Sequence, residues 1–252
     1  MFGFSLRAGV GRLVVLLLLC QCLTLHAAPA DVKALAAAAT VFLHKHVGSD
    51  GQVDYRAIKR SPAELQGLLK QVQTLSVQPL SAAEKKAFYL NAYNLTVIGA
   101  VVESYPLTSV MKVPGFFDKQ QRVVAGEKMT LNELENNKLR TPYNDPRVHF
   151  ALVCAAKGCP RLSQDAYTPA TLEAQLTAQA QRVLQDPTFI RVQEDSKKVL
   201  VSEIFKWYEA DFKATGKPLL GYINQFRAAR LLPAGLAVEY YTYDWALNEG
   251  RR

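Results

Sequence analysis

The stretch from Ser81 to Pro106 restricts the fold more than any other. Ser81-Ala82-Ala83-Glu84 is a capping box: the serine hydroxyl accepts from the backbone three residues on, and the glutamate reaches back. Behind it stand Phe88, Tyr89, Leu90, Leu95, Val97, Ile98, Val101 and Val102, and Pro106 closes the segment. A helix that is apolar on nearly every face has no side to give to water, so the rest of the chain has to wrap around it. The expectation is a central buried helix over about 82–103. Asn91, Tyr93 and Asn94 sit inside that run, and buried amides cost free energy unless they are hydrogen-bonded.

Helices are expected on both sides of this segment. Asp31 to Val47 is Ala-rich and amphipathic and stops at Gly48, and Ser61-Pro62-Ala63-Glu64 opens a helix to about Leu75. Val53-Asp54-Tyr55 between them reads as extended or irregular. Arg122–Ala125 and Lys128-Met129 around Gly126 read as a short hairpin, and Thr130-Leu131-Asn132-Glu133 is another capping box. Val148 to Cys154 is a short apolar run with the length and bounds of a buried strand. A helix over Thr168–Gln185, a hairpin of Phe189–Val192 with Val199–Val201, helices over Ser202–Phe212 and Leu219–Arg230, and a strand over Ala237–Tyr243 complete the reading. The fold class is α+β, a small, mainly antiparallel sheet packed against several helices.

The first residues carry the charge–apolar–small layout of a secretory signal: Arg7 and Arg12, the run Leu13 to Cys20, then Ala27, Ala28 and Ala30. The apolar run is shorter than the roughly 20 residues of a spanning helix, so cleavage after Ala27, or as late as Ala30, is expected. The organisation is then a signal peptide over 1–27, an N-terminal helical segment over 31–78 and an α+β core domain over 79–248. Cleavage places the protein in the periplasm or outside the cell, with no stable membrane insertion. It removes Cys20 and Cys22 from four cysteines, leaving Cys154 and Cys159, and takes Arg7 and Arg12 from a net charge of +8, leaving +6. Export and the absence of a binding motif set nucleic acid aside as a partner.

Chemistry concentrates in His149-Phe150-Ala151-Leu152-Val153-Cys154-Ala155-Ala156-Lys157-Gly158-Cys159-Pro160. One reading is a disulfide between Cys154 and Cys159, since four intervening residues with a glycine form a loop able to bring the sulfurs together. A second is a cysteine nucleophile with His149 as base and Asn91 or Asn94 orienting the imidazole or donating to an oxyanion. On a regular strand His149 and Cys154 face opposite ways, whereas Cys159 on the loop can fold back toward either face. Metal binding is the weakest reading, because the spacing H-x4-C-x4-C matches no zinc pattern and His44 and His46 diverge on their helix; no metal and no cofactor are expected. Tyr93, Glu135 and Arg140 are binding candidates, with a Glu135–Arg140 ion pair tying helix to loop as the plainer role. Trp207-Tyr208 with Asp211-Phe212 reads as a packing face. Tyr240, Tyr241, Tyr243 and Trp245 read as core and rim, or as an aromatic wall for a sugar or peptide.

Several of these segments together resemble domain-of-unknown-function family 547. They are Phe88-Tyr89-Leu90-Asn91-Ala92-Tyr93-Asn94, Phe116-Phe117-Asp118, Leu131–Glu135 with Leu139-Arg140, Asp145–Cys154, Cys159-Pro160, and Ser202 through Trp207-Tyr208 to Asp211-Phe212. The resemblance runs in order from about Glu84 to Trp245. It implies a globular α+β domain of exported bacterial proteins, with plant relatives that carry it behind a leucine-zipper segment, and it brings no activity with it. Those plant relatives have Ser where Cys159 stands. The resemblance therefore implies that a disulfide is not obligatory and moves the nucleophile toward Cys154, against the strand parity.

Two functions follow as expectations. The first is a papain-like or transglutaminase-like thiol hydrolase or acyltransferase acting on envelope peptides or amides. The second is a non-catalytic periplasmic binding or assembly module, with a protein or peptide ligand and a Cys154–Cys159 disulfide.

Overall fold

In the structure, a computed structural model that describes residues 1–3 and 31–250, helix α4 (Ala82–Ser104) is buried without interruption from Lys86 to Val102. The serine cap is present in both directions: Ser81 Oγ accepts from the Glu84 N–H, and Glu84 accepts from the Ser81 N–H. Helices α1 (Val32–His46), α2 (Tyr55–Arg60) and α3 (Ala63–Thr74) pack around α4 in one apolar cluster. The apolar run expected to form a signal peptide lies outside the described residues, as do Cys20 and Cys22. Among the described residues no helix is long and apolar enough to cross a membrane.

Local details depart from expectation where tertiary partners intervene. Tyr55, expected in an irregular stretch, opens α2, capped by the Asp54 carboxylate accepting from the Ala57 N–H at 2.8 Å. Ser61 consequently closes α2 and does not cap α3, which begins without a side-chain cap.

The remaining chain is α+β. Strands β1 (Arg122–Val124) and β2 (Glu127–Met129) form the expected hairpin, and Thr130 caps α5 (Leu131–Glu135) with a second reciprocal box. The helix does not end there. It widens into a π-helical turn over Asn136–Arg140 and closes in a short α6 (Thr141–Tyr143). Helix α7 (Val148–Ala151) leads to α8 (Leu172–Gln185), then to a three-stranded sheet of β3 (Ile190–Gln193), β4 (Lys198–Ser202) and β5 (Ala237–Tyr241). In that sheet β3 and β4 are antiparallel, while β4 and β5 run parallel.

The expected helix over Ser202–Phe212 is two, α9 (Ile204–Trp207) and α10 (Glu209–Lys213), broken at Tyr208. Helix α11 (Leu219–Asn224) is shorter than expected, because the Asn224 amide turns to clamp Leu232 through both its N–H and its C=O.

The principal correction concerns residues 148–154. The expected strand is the single turn of α7 followed by an extended exit. Asp145-Pro146 leads into the turn: the Asp145 carboxylate accepts from the N–H of Arg147, the N-cap residue, at 3.1 Å, and proline stands just before that residue, where no amide hydrogen is needed. A short apolar run does not distinguish a buried strand from a buried helical turn by periodicity, and here the helix-start signal decides.

Two apolar clusters result. One surrounds α4; the other joins Phe150, α8, the three-stranded sheet and the helices α9 to α11. The turn α7 straddles them, and Cys159 and Trp245 pack against both.

An ionic network fastens this turn to its neighbours. Asp145 accepts from the buried Lys86 at 2.6 Å and from Arg147 at 2.8 Å, and Arg147 also reaches Glu173 on α8. Burial alone would raise the Asp145 carboxyl, but the hydrogen bonds from Arg147 and Lys86 outweigh it and hold the pKa down to about 2. Its folded value lies below the unfolded one, so the stabilisation is complete above about pH 4 and drains away as pH falls through about 2. Asp145→Asn should cost about 2–4 kcal/mol at pH 7. In urea unfolding the gap from the unsubstituted protein should narrow toward pH 2; a gap independent of pH contradicts the assignment.

Candidate functional site

Residues 151–160 reach the surface by way of a backbone that has no regular secondary structure to pair with, and side chains pair it instead. The Asn94 amide donates to the Ala151 carbonyl and its oxygen accepts from the Val153 N–H, both at 3.0 Å. Asn91 does the same for Tyr167, donating to its carbonyl at 2.7 Å and accepting from its N–H at 2.8 Å. Gln179 of α8 donates to the carbonyls of Phe150 and Arg161. These are the orphan groups that so short a helix and its exit leave behind.

Asn91 and Asn94, expected to orient an imidazole or serve an oxyanion, are thus committed to backbone. Their amides locate the loop; they do not touch His149.

Beyond Val153 the chain turns at Ala155, which takes a positive φ of 63°, and is clamped by the C-terminal segment through Lys157 N–H to Ala246 and Gly158 N–H to Asp244, both at 2.8 Å. A side chain at Gly158 would meet the Tyr243 ring at 2.9 Å, so glycine permits this approach. The approach delivers the Tyr243 hydroxyl to both sulfurs, 3.1 Å from Cys154 Sγ and 3.0 Å from Cys159 Sγ.

The sulfurs are 2.6 Å apart, and both cysteines are free and half-buried. The expected disulfide is not present. The Cys154 N–H also points at Cys159 Sγ, at 3.1 Å. Burial works to raise Cys159, but hydrogen bonds from the Cys154 thiol, the Tyr243 hydroxyl and the backbone outweigh it and hold its pKa below the ordinary thiol value. Cys154 is pushed well above that value by its hydrogen bond to Cys159 and by burial. The hydrogen bonds thus favour charge on Cys159 over charge on Cys154.

His149 stands on another wall. Its Nε2 meets Asp211 Oδ2 at 2.7 Å, and its ring stacks on Tyr208 at a centroid distance of 3.9 Å. The hydrogen bond from His149, and then those from Arg140, hold the Asp211 carboxyl far below the usual carboxylate range. A carboxylate can only accept, so Nε2 carries the proton.

Arg140 grips Asp211 through Nε at 2.8 Å and Nη2 at 3.0 Å and lies over the Tyr208 ring. The expected Glu135–Arg140 ion pair is thus replaced by Arg140–Asp211. The π-helical turn carries Arg140 away toward α10, and Glu135 stays buried against Tyr208, whose hydroxyl is raised by burial and by that carboxylate.

These groups open on one recess of about 370 Å³, lined by Cys154, Cys159, His149, Glu135, Tyr93 and Tyr208, with Trp207, Tyr243 and Trp245 as an aromatic side. Trp207 and Trp245 stack at 5.8 Å, and Met111 and Trp207 are exposed at the rim. Asn91 and Asn94 do not line it.

Asp211 and Tyr243 are the participants that the sequence reading did not assign to the site. Asp211 follows Tyr208 by three residues, helical neighbours on one face, but its partner lies 62 residues earlier. Among the described residues no group of three or more His, Cys, Asp and Glu is placed to hold a metal ion.

Removing the Asn94 clamp should loosen the loop directly. Asn94→Ala leaves a buried C=O and a buried N–H unpaired, a loss of about 2–4 kcal/mol in urea unfolding. A loss under about 0.5 kcal/mol contradicts the role assigned to it.

Comparison with curated proteins and with solved structures returned no match for the chain. Residues 77–184, from the approach to α4 through α8, match the family model described as "Protein of unknown function, DUF547". That stretch holds α4 with its two asparagines, Glu135, Arg140, His149 and both cysteines, so the part of the chain that carries these groups is similar to the DUF547 family.

Proposed function

We propose that the chain is an exported thiol enzyme that hydrolyses or transfers acyl groups of envelope peptides or amides, with Cys159 as the nucleophile. One observation carries this reading: the sulfur held below its ordinary pKa faces an aromatic recess that is also lined by His149, whose ring is bonded to Asp211. A thiolate is the reactive form of cysteine, and in this site it is favoured by the Cys154 thiol and the Tyr243 hydroxyl, not by the imidazole.

The steps follow from that arrangement. Cys159 Sγ, as thiolate, attacks the substrate carbonyl carbon; the C–N bond breaks and the leaving amine takes the Nδ1 proton of His149 in its charged form. Water or an acceptor amine then attacks the thioester, gives a proton to Nδ1 and releases Cys159 as thiolate. Asp211 holds the ring and stabilises its charged form. With Nε2 engaged by Asp211, Nδ1 is the nitrogen left for substrate. The apolar rim of Met111, Trp207 and Trp245 favours an aromatic or aliphatic side chain beside the scissile bond. The leader, and the net charge of +6 left after its removal, suit work in an envelope bounded by anionic surfaces.

The non-catalytic module has one observation in its favour. The asparagine amides available as oxyanion donors are spent on backbone.

Alkylation and turnover separate the two. Iodoacetamide should modify Cys159 before Cys154, with a half-maximal rate at a pH below that of free cysteine. A panel of p-nitrophenyl esters and aromatic peptide amides should be turned over, with kcat/KM falling at least about 100-fold in Asp211→Asn and further in Cys159→Ser. Equal, slow alkylation of both sulfurs together with no turnover of any probe leaves the binding module standing.

A further inference from the structure

Cys159 lines a second recess as well, on the other side of the 154–160 loop. That recess is about 350 Å³ and polar, with Lys157, Arg161, Arg182 and Arg191 along its walls beside Asp50, Asp186 and Asp244. Arg161 is committed to Asp186 at 3.0 Å and Arg191 lies over the Tyr241 ring at 3.8 Å. Lys157 and Arg182 are exposed. One sulfur thus sits between an aromatic recess and a polar one with a small excess of positive charge, and a second thiol is in contact with it.

An acyl-transfer nucleophile uses the second thiol only as a hydrogen-bond donor and has no use for the positively charged side. Thiol–disulfide exchange uses both. We infer that Cys154 and Cys159 form a dithiol that reduces disulfides, taking a substrate with one apolar half and one carboxylate-bearing half. The inference shares with the preceding proposal only the assignment of Cys159 as the attacking sulfur.

The chemistry balances without any group beyond the substrate. Cys159, as thiolate, attacks one sulfur of the substrate disulfide; a mixed disulfide forms, the substrate S–S bond breaks, and the departing thiolate takes the Cys154 proton. Cys154 then attacks Cys159 Sγ and displaces the second half, which takes from solvent the proton that Cys159 had earlier released. The dithiol is oxidised to a disulfide, and one substrate disulfide is reduced to two thiols. An external dithiol reductant returns the pair to its starting state.

The geometry suits each step. Tyr243 steadies both sulfurs, the Cys154 N–H supports charge on Cys159, and contact between the sulfurs makes the second attack immediate. Exchange is fastest when the attacking thiol ionises near ambient pH, and the hydrogen bonds on Cys159 move it in that direction.

Oxidised glutathione, which carries carboxylates, tests the inference on the reduced full-length protein by mass spectrometry and released-thiol assay. The unsubstituted chain should lose two mass units and release two thiols for each disulfide consumed. Cys154→Ser should stop at a mixed disulfide on Cys159, and Cys159→Ser should react at least tenfold more slowly. Arg182→Ala with Lys157→Ala should slow the reaction with oxidised glutathione several-fold while leaving cationic cystamine unaffected.

Failure of the unsubstituted chain to lose two mass units overturns the inference, and so does a mixed disulfide formed on Cys154 as fast as on Cys159. Equal slowing of both probes in the Arg182 and Lys157 variant overturns the assigned substrate class. Exchange without ester or amide turnover removes only the acyl-transfer reading; turnover without exchange removes only this one.

Discussion

The arrangement depends on two primary amides buried on an apolar helix. Asn91 and Asn94 of α4 each take both hydrogen-bonding groups of an irregular segment, one at Tyr167 and the other across Ala151 and Val153. A buried amide is costly when unpaired and gives strong specificity when fully paired. Backbone that belongs to no helix or sheet can enter the interior only where such partners wait for it. The helix therefore does more than fill a core: it fixes where two loops cross it. Asn224 repeats the device at Leu232.

The reactive groups inherit their positions from that anchor. Once Val153 is fixed, Cys154 emerges at the boundary of the two apolar clusters, and the C-terminal segment closes on the loop from the other side. Tyr243 reaches the sulfurs because Gly158 offers no side chain to block its ring. His149 belongs to the preceding helical turn, and its orientation is set from α10 through Asp211, which Arg140 holds in place. Thiols and imidazole are thus positioned by separate supports and meet only in the recess between them.

Much of the framework was legible in the sequence because local signals and burial agreed there. The Ser81 and Thr130 boxes, the apolar length of α4, the Gly126 hairpin and the hairpin of β3 and β4 all state their structure locally. Residues 148–154 are ambiguous in the sequence because an apolar run of that length satisfies a strand or a helical turn equally, and Asp145-Pro146 can bound the one or start the other. With the strand goes the parity argument that set His149 and Cys154 on opposite faces. The chemistry-rich stretch 149–160 was visible as composition. Its inner wiring was not, since Asp211 and Tyr243 enter from 62 and 84 residues away. The roles of Asn91 and Asn94 were likewise open, because a polar residue in an apolar helix announces that it needs a partner without naming it.

Amide hydrogen exchange at Val153 and Tyr167 tests the central claim most directly. Both N–H groups lie outside regular helix or sheet ladders, so a loop held only by general packing exposes them in local openings. Held by the asparagines of the most buried helix, they should exchange as slowly as the interior of α4 itself, through global unfolding. Exchange at rates typical of surface loops, with α4 still protected, would contradict the account.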